Sequence, residues 1–327
     1  MIKLINSKDI EKAYRRIKAI ISKTPLITND TINKNTNSEI YFKLENLQKT
    51  GSFKIRGAAN KISKLSNKDK LKGIVSYSSG NHAQAVAYVS KYFNIKSTIV
   101  MPENAPLIKI NNTKKYGAKI LFYDPKKESR ENIAQEIARR ENKTIIKPYD
   151  DLDIIAGQGT AGKEIIDDLK ELKIEPDIYV CCCGGGGLVA GTTTYMKTVF
   201  PRINNYSAEP AQFNDTELSL KTNSIIKNKK NSKSICDALL APQPGKITFP
   251  INKLNLKKGL SVSDNEVKKT IIELAENLKI ISEPGGAVAA AAILNNKINI
   301  KNKKVVVMIS GGNIDYSLFS KIVSSDK

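Results

Sequence analysis

Short apolar runs of β type alternate with segments of helical spacing along most of this 327-residue chain. In one such segment Ala85, Val86, Val89 and Tyr92 recur at the spacing of one helix face. Strands that alternate with helices run parallel and are covered by helices on both faces. We therefore predict an α/β fold with twisted, mainly parallel sheets, whose strands are Ile40–Leu44, Gly73–Tyr77, Ser97–Met101, Ala118–Tyr123, Asp177–Cys183, Asn204–Ala208 and Lys304–Ile309.

The length of the chain predicts about two domains. The strand–helix units of residues 73–147 form a compact module, and the turn at residues 150–153 marks the return of the chain. We predict a large domain of residues 1–50 and 149–327 and a small domain of residues 51–148. A small-molecule site is expected in the cleft between them. An opening helix is predicted over Lys8–Ser22 and ended by Pro25.

The chain is strongly basic, with 53 Lys and Arg against 32 Asp and Glu and a formal net charge of +21. A basic surface attracts phosphates, but the lysines are spread along the whole chain without an arginine-rich helix or zinc-finger spacing. We expect no nucleic-acid partner. The first residues lack the apolar stretch of a signal peptide, and no apolar run approaches membrane-spanning length. We expect a cytoplasmic protein without a membrane partner.

Three of the four cysteines are consecutive, at Cys181–Cys183. Adjacent residues of a strand point to opposite faces, so these three thiols do not converge on one metal ion. A chain of this length does not need a disulfide framework either. We expect buried, reduced thiols.

Lys54 lies in an apolar and glycine-flanked segment, Thr50–Gly57, just after the predicted strand Ile40–Leu44. A lysine amine becomes a nucleophile towards carbonyls when it is desolvated and held near neutrality. A Schiff base with pyridoxal phosphate requires this environment. The alternative is an ordinary solvated lysine in a lysine-rich chain.

Four glycines, Gly184–Gly187, follow a predicted strand and open a helix. Bare backbone amides at a helix N-terminus form an anion cradle that suits a phosphate. A rival interpretation is an NAD-dependent oxidoreductase. Gly185, Gly187 and Ala190 fit the G-x-G-x-x-[GA] pattern, and Glu209 lies near the end of the next strand, where a ribose contact is expected. That interpretation leaves Lys54 without a role.

Two further turns place polar side chains at strand ends. Ser78, Ser79 and Asn81 lie at a helix start, where hydroxyls, an amide and backbone N–H groups suit a carboxylate. His82 is the only histidine, which excludes sites with several histidines, and it is either a structural residue or a proton-transfer group. Ser310 follows an apolar strand and either contacts a ring nitrogen or belongs to a simple tight turn.

Together these segments resemble the fold-type II pyridoxal phosphate enzymes of the serine/threonine dehydratase (threonine ammonia-lyase) and serine racemase family, which have the tryptophan synthase β-like fold. The resemblance runs from about Ile20 to Asp315. It comprises KTGSFKIRGA, SSGNHAQA, the tetraglycine loop, AEP at residues 208–210, EPGGA at 283–287 and SGGN at 310–313.

The resemblance implies that residues from four segments bind the cofactor: Phe53, Lys54, Asn81, Gly184, Gly185, Gly186, Gly187 and Ser310. Lys54 would carry the Schiff base and act as the base at Cα. Phe53 would pack against the ring, Asn81 would bond its phenolic oxygen, and Ser310 would contact the pyridine nitrogen. The substrate would be bound by Ser78, Ser79, Asn81, His82 and Arg130, the last of which matches an arginine that reaches an acidic substrate group.

The activity implied is a β-elimination on L-threonine or L-serine that yields a 2-oxo acid and ammonia, as in amino-acid catabolism. A 3-hydroxyaspartate dehydratase is an alternative because of Arg130. A serine racemase is another, because Ser79 matches the acid/base serine of racemases. Gly285 stands where the family often has Ser or Thr, and the segment 236–245 departs from the racemase form. A non-catalytic amino-acid-binding protein is the alternative from a different class.

The family also has a divalent-cation site for Mg²⁺ or Ca²⁺, which Glu209, the carbonyl of Phe213 and Asp215 match. Oxygen ligands suit such hard cations. A capped surface loop is the alternative, since carboxylates are common near turns. The resemblance also implies a homodimer.

Overall fold

The computed structural model describes residues 4–324, and ten strands in this range form two sheets. The six-stranded sheet has the order β1-β2-β10-β7-β8-β9, and the four-stranded sheet has the order β5-β4-β3-β6. Every neighbouring pair is parallel except β1 with β2. The strands are β1 (Leu26–Ile27), β2 (Glu39–Leu44), β3 (Ile74–Tyr77), β4 (Ser97–Pro102), β5 (Lys119–Tyr123), β6 (Thr144–Ile146), β7 (Ile178–Cys182), β8 (Asn204–Pro210), β9 (Leu256–Val262) and β10 (Lys304–Ile309).

Helices cover both faces of the sheets, as the alternation of strands and helices predicts. Along β2, Ile40 and Phe42 enter one apolar core while Tyr41 enters the core on the opposite face. The predicted α/β class is thereby confirmed. The helices of the described chain are α1 (Ser7–Ile17), α2 (Asp30–Thr36), α3 (Lys54–Ser63), α4 (Asn67–Lys72), α5 (Asn81–Tyr92), α6 (Leu107–Lys115), α7 (Arg130–Glu141), α8 (Leu152–Glu171), α9 (Gly187–Val199), α10 (Asp215–Thr222), α11 (Thr248–Asn255), α12 (Asp264–Leu278), α13 (Pro284–Leu294) and α14 (Tyr316–Ser324).

The first helix is shorter than the sequence predicts, because α1 ends at Ile17 and not at Ser22. The amides of Ile20 and Ile21 both donate to the Ile17 carbonyl, so the chain turns tightly there. The turn brings Ile20 and Ile21 into the apolar core beside α3. Helical spacing of the isoleucines therefore signals burial correctly, although the helix itself has already ended.

The two sheets come from separate parts of the chain. The four-stranded sheet lies within residues 74–146, while the six-stranded sheet uses residues 26–44 and 178–309. We propose the predicted domain boundaries, 1–50 with 149–327 and 51–148, on this basis; their outer ends, residues 1–3 and 325–327, lie outside the described part. In residues 4–324 the four cysteines are buried and free, as predicted. No helix of that range is long and apolar enough to cross a membrane.

Candidate active site

A cavity of about 370 Å³ lies where the loops after β3, β7 and β10 meet. The carboxyl ends of parallel strands are the usual position of a ligand site in such sheets. The cavity brings together every residue that the sequence predicts for cofactor and substrate: Phe53, Lys54, Ser78, Ser79, Asn81, His82, Arg130, Gly184, Gly185, Gly186, Gly187 and Ser310.

Lys54 is the first residue of α3 and is half-buried at the cavity wall. Its Nζ donates to the carbonyl of Pro148 at 2.9 Å and lies 5.2 Å from the centroid of the Phe53 ring. Burial, and secondarily the positive charge of Arg130, lower the pKa of Lys54 to about 8. The neutral, nucleophilic form is therefore a minor fraction of the amine near neutral pH, but a far larger one than for a solvated lysine.

The segment before Lys54 is fixed by the loop that follows β10. The amide of Phe53 donates to the Ser310 carbonyl at 3.2 Å, and Ser52 forms an antiparallel bridge with Gly311. These backbone contacts place Lys54 and the side chain of Ser310 on the same cavity. Lys54 and Ser310, which are about 250 positions apart in the chain, thus lie on the same edge of the site.

The glycine loop turns its carbonyls away from the cavity and towards α11. Thr248 donates its hydroxyl to the Gly185 carbonyl at 2.6 Å, and the Asn252 amide donates to the Gly186 carbonyl at 3.3 Å. Within the described residues, the N–H groups of Gly184–Gly186 have no acceptor. Unpaired amides at the start of a helix suit an anion, and the phosphate-binding role of this loop at the start of α9 stays a prediction.

At two positions of this loop the backbone conformation or a neighbouring side chain leaves no room for any residue but glycine. Gly186 has φ +87°, a left-handed conformation that disfavours side chains, and it approaches Asn252 too closely for a Cβ. At Gly185 a Cβ would overlap the ring of Tyr149, which packs directly on the loop. The two glycines therefore allow Tyr149 and Asn252 to pack directly against the backbone of the loop.

The turn between β3 and α5 carries the predicted carboxylate-binding residues. The hydroxyl of Ser78 accepts a hydrogen bond from the backbone N–H of Gly80 at 3.1 Å. Ser79 is half-buried on the cavity wall. Asn81 begins α5, and its amide oxygen accepts a hydrogen bond from Asn313 at 2.8 Å. This turn therefore presents hydroxyls and a helix N-terminus to the cavity.

His82 is buried, and its Nε2 lies 3.3 Å from the Ile146 carbonyl. Burial, followed by the charge of Lys54, lowers the pKa of His82 to about 3. The imidazole is therefore neutral at physiological pH. A positive charge on His82 does not contribute to anion binding here.

Arg130 starts α7 and reaches the cavity across three tyrosines that the sequence analysis did not identify. Its guanidinium lies 5.7 Å from the centroid of the Tyr77 ring, and Tyr123 and Tyr149 complete the cavity wall. Its Nε donates to Glu131 at 2.9 Å. The tyrosines follow or end strands of the four-stranded sheet, and this position was the only available signal of their role.

The predicted cation ligands lie outside the cavity, at the end of β8 and the start of α10. Each carboxylate oxygen of Glu209 accepts a hydrogen bond from a backbone N–H of α10, one from Thr216 at 2.9 Å and one from Glu217 at 2.8 Å. Burial, and then the charge of Asp215, raises the pKa of Glu209, and burial raises the pKa of Asp215 to about 7. One oxygen of Asp215 is buried without a partner. Among residues 4–324 there is no group of three or more His, Cys, Asp or Glu side chains placed to hold a metal.

Comparisons with known proteins agree on one family. The model of the family described as pyridoxal-phosphate dependent enzyme matches residues 17–311. The chain is 42% identical to serine racemase of Dictyostelium discoideum over 98% of both chains. It is 39% identical to L-threo-3-hydroxyaspartate ammonia-lyase of Saccharomyces cerevisiae, over 97% of this chain and 95% of the yeast protein. It also matches the crystal structure of T.th. threonine deaminase, with a TM-score of 0.91 and 33% identity over 95% of this chain and 99% of the other.

The residues of the cavity fit pyridoxal phosphate. The amine of Lys54 suits its aldehyde, and the unpaired amides of Gly184–Gly186 suit its phosphate. The interpretation as a nicotinamide-dependent enzyme is wrong, since the family match assigns a different cofactor and Glu209, its expected ribose contact, caps α10 instead. The predicted family, fold type and cofactor are confirmed, and the chain belongs to the family of pyridoxal-phosphate dependent enzymes.

Proposed function

We propose that this protein removes water from a hydroxy amino acid, L-threonine or L-serine, and releases a 2-oxo acid and ammonia. The observation that carries this proposal is the amine of Lys54, which has a lowered pKa and faces the glycine cradle across one cavity. Two relatives, the yeast ammonia-lyase and the threonine deaminase, are named for eliminations of this kind. The proposal therefore agrees with both the chemistry of the site and the relatives.

Bound pyridoxal phosphate supplies the electron sink for the negative charge that develops at Cα. In the proposed roles, Lys54 holds the cofactor and then accepts the Cα proton. The tetraglycine loop binds the phosphate, Phe53 packs on the ring, and Ser310 contacts the ring nitrogen. The Cβ–O bond then breaks, and the hydroxide leaves as water with the proton that Lys54 took from Cα. The enamine that remains takes up water, and it yields the 2-oxo acid and ammonia.

The turn Ser78–Asn81 is proposed to bind the substrate carboxylate. Its hydroxyls and the N-terminus of α5 donate hydrogen bonds and carry a partial positive charge. His82, which is neutral, contributes to this site through its place in the first turn of α5. Asn81 also donates to the phenolic oxygen of the cofactor in this proposal, since its amide group has two N–H bonds and Glu283 accepts only one of them.

A 3-hydroxyaspartate is the second candidate substrate, and Arg130 favours it. Its guanidinium lies on the cavity wall against Tyr77 and Tyr123, where a second carboxylate of a substrate would be bound by charge-assisted hydrogen bonds. Threonine and serine offer no such group. The balance between these substrates is therefore expected to depend on Arg130.

The first prediction concerns substrate choice. We expect the wild-type protein to release 2-oxo acid from L-threonine and L-serine in a stopped assay of carbonyl product. Arg130→Leu should reduce kcat/KM for L-threo-3-hydroxyaspartate by about 10- to 100-fold, because a charge-assisted hydrogen bond contributes about 1.5–3 kcal/mol. It should change kcat/KM for L-threonine much less, through the loss of the Arg130 charge that helps to lower the pKa of Lys54.

Arg139→Leu, at an exposed position of the same helix, is the matched control and should behave as wild type. Equal losses on threonine and hydroxyaspartate in Arg130→Leu would contradict the role of Arg130. If no oxo acid appears from any of these substrates, elimination is not the main activity. Conversion of L-serine to D-serine in that case would establish the racemase alternative, with Ser79 as its acid/base.

We also propose a divalent cation, Mg²⁺ or Ca²⁺, between Glu209 and Asp215. Two buried carboxylates with raised pKa values gain stability from a cation, and the carbonyl of Phe213 is the third proposed ligand.

The second prediction is that millimolar Mg²⁺ raises the Tm of the wild-type protein by a few degrees, since a ligand of the native state stabilises it by mass action. Asp215→Asn should lose this increase, while Glu217→Gln should retain it. An equal increase in Asp215→Asn would rule out this site.

Two further proposals concern the state of the protein. A reducing, cytoplasmic location is supported by the four buried free thiols of the described chain. A homodimer is supported by the resemblance to the family alone, and light scattering after gel filtration tests it directly.

A further inference from the structure

Lys109 lies on α6, beside the four-stranded sheet, and its side chain is fully buried at 0% exposure. Its aliphatic part passes against Gly80, so closely that a Cβ at Gly80 would overlap the Lys109 Cδ. The turn Ser78–Asn81 therefore rests on this lysine. No prediction from the sequence assigned Lys109 a role.

The ammonium of Lys109 meets two carboxylates that come from the six-stranded part of the molecule. Its Nζ lies 2.6 Å from Asp237 Oδ2 and 2.7 Å from Glu283 Oε2. Burial by itself would lower the pKa of Lys109, but the charges of Glu283 and Asp237 outweigh it and raise the pKa. Lys109 is therefore protonated and joins the two parts of the molecule by ion pairs.

Each carboxylate leads to the active site. Glu283 accepts a hydrogen bond from the amide of Asn81, whose oxygen in turn accepts from Asn313. These two bonds determine which way the Asn81 amide points, because nitrogen can only donate and oxygen can only accept. Asp237 lies on the cavity wall with 29% of its side chain exposed, in the segment 236–245. Lys109 thus connects the carboxylate-binding turn with both the cofactor side and the opposite rim of the cavity.

We propose that Lys109 is a positioning residue that holds the turn Ser78–Asn81 against Asp237 and Glu283 and so closes the substrate carboxylate site. This inference rests on the proposed function, in which that turn binds the substrate. Without the ammonium, two carboxylates would face each other beside the cavity, and one of them is fully buried. Without the ion pairs to Lys109, the turn would no longer be held against the six-stranded part, while the glycine cradle would stay in place.

The test is the variant Lys109→Met, which keeps the aliphatic contact with Gly80 and removes the charge. We expect the KM for L-threonine to rise by about 10- to 100-fold, since a displacement of about 1 Å at a binding group has effects of that size. The affinity for pyridoxal phosphate, measured from its visible absorption, should fall much less than this, because Lys54 and the glycine cradle stay in place and only the bond from Asn81 is disturbed. A structural defect would reduce both affinities by similar factors.

Asp237→Asn provides a second variant that does not leave buried charge behind. It should raise the KM less than Lys109→Met does. In the double variant Lys109→Met with Asp237→Asn, the KM for L-threonine should be lower than in Lys109→Met alone. The reason is that Asp237→Asn removes one of the two carboxylates that repel each other. Lys115→Met, at an exposed position of the same helix, is the control and should match wild type. An unchanged KM in Lys109→Met, or an equal loss of cofactor affinity, would overturn the proposal.

Hydrogen–deuterium exchange of the same holoenzymes, followed by mass spectrometry, separates this inference from the proposed function. In Lys109→Met the backbone amides of the turn Ser78–Asn81 should exchange faster than in wild type and Lys115→Met, whether or not any substrate is converted. If the wild-type protein converts no hydroxy amino acid, the proposed function fails, and the exchange rates alone then decide the role of Lys109. Equal exchange of this turn in Lys109→Met and wild type would rule that role out.

Discussion

Lys54→Ala is expected to reduce the release of 2-oxo acid from L-threonine by at least about 10³-fold, within the range observed when a general base is removed. The reason lies in the environment of the amine. Its pKa of about 8 leaves a minor fraction of it neutral at physiological pH, far more than for a solvated lysine, and its contacts with Pro148 and Phe53 hold it at the cavity wall. Within the described residues, no other lysine lines the cavity with a lowered pKa.

The measurement combines turnover with the visible absorption of the bound cofactor. The wild-type protein should be yellow and should lose this colour with a carbonyl-trapping reagent, whereas Lys54→Ala should lack the covalent linkage. Lys49→Ala, at an exposed position just before the same segment, is the control and should retain both colour and turnover. Near-normal turnover in Lys54→Ala would refute the proposed mechanism.

Glu164→Ala is expected to cost about 3–5 kcal/mol of unfolding free energy, the usual cost of removing one partner from a buried ion pair. Glu164 on α8 accepts from Arg56 of α3 at 2.6 Å and from Lys43 of β2 at 2.9 Å. Arg56 also pairs with Glu45 at 2.7 Å. All four side chains are at most 1% exposed, so alanine leaves a cation without its compensating charge.

Urea unfolding monitored by circular dichroism measures this cost. Asp167→Ala is the matched control, because Asp167 lies on the same helix and pairs with Lys163 at 2.7 Å, but is 39% exposed. An exposed pair contributes about 0–1 kcal/mol. Similar losses for the two variants would show that the buried network contributes no more than a surface pair. Because Arg56 lies two residues after Lys54, the network also anchors the helix that carries the proposed base.

Much of the fold follows from local patterns. The predicted strand Lys304–Ile309 has the same bounds in the structure, and the other predicted strands differ by one or two residues at their ends. Strands of this kind carry near-continuous apolar runs because both faces of a parallel sheet are buried. The short β6 and the lysine-containing β9 lack that signal and were not predicted.

The residues of the candidate site also fall into those that local sequence predicts and those that it does not. Lys54, the glycine loop, the Ser78–Asn81 turn and Ser310 were predicted, because each lies at the end or start of an element and carries its chemistry in a short segment. Tyr77, Tyr123 and Tyr149 were not, since a tyrosine at a strand end has no local feature that distinguishes it from a core residue. The contacts of Arg130 became visible only when these rings were placed together.

The α/β class, the cofactor and the segments that contribute to the site can be inferred from the chain alone, because periodicity, turn chemistry and motif residues act over a few positions. The lowered pKa of Lys54, the neutral state of His82 and the contacts of Lys109 with Asp237 and Glu283 are visible only in the folded molecule. These properties depend on desolvation and on charges that lie far apart in the chain. Such distances are set by the packing of the whole molecule, and local sequence does not encode them separately.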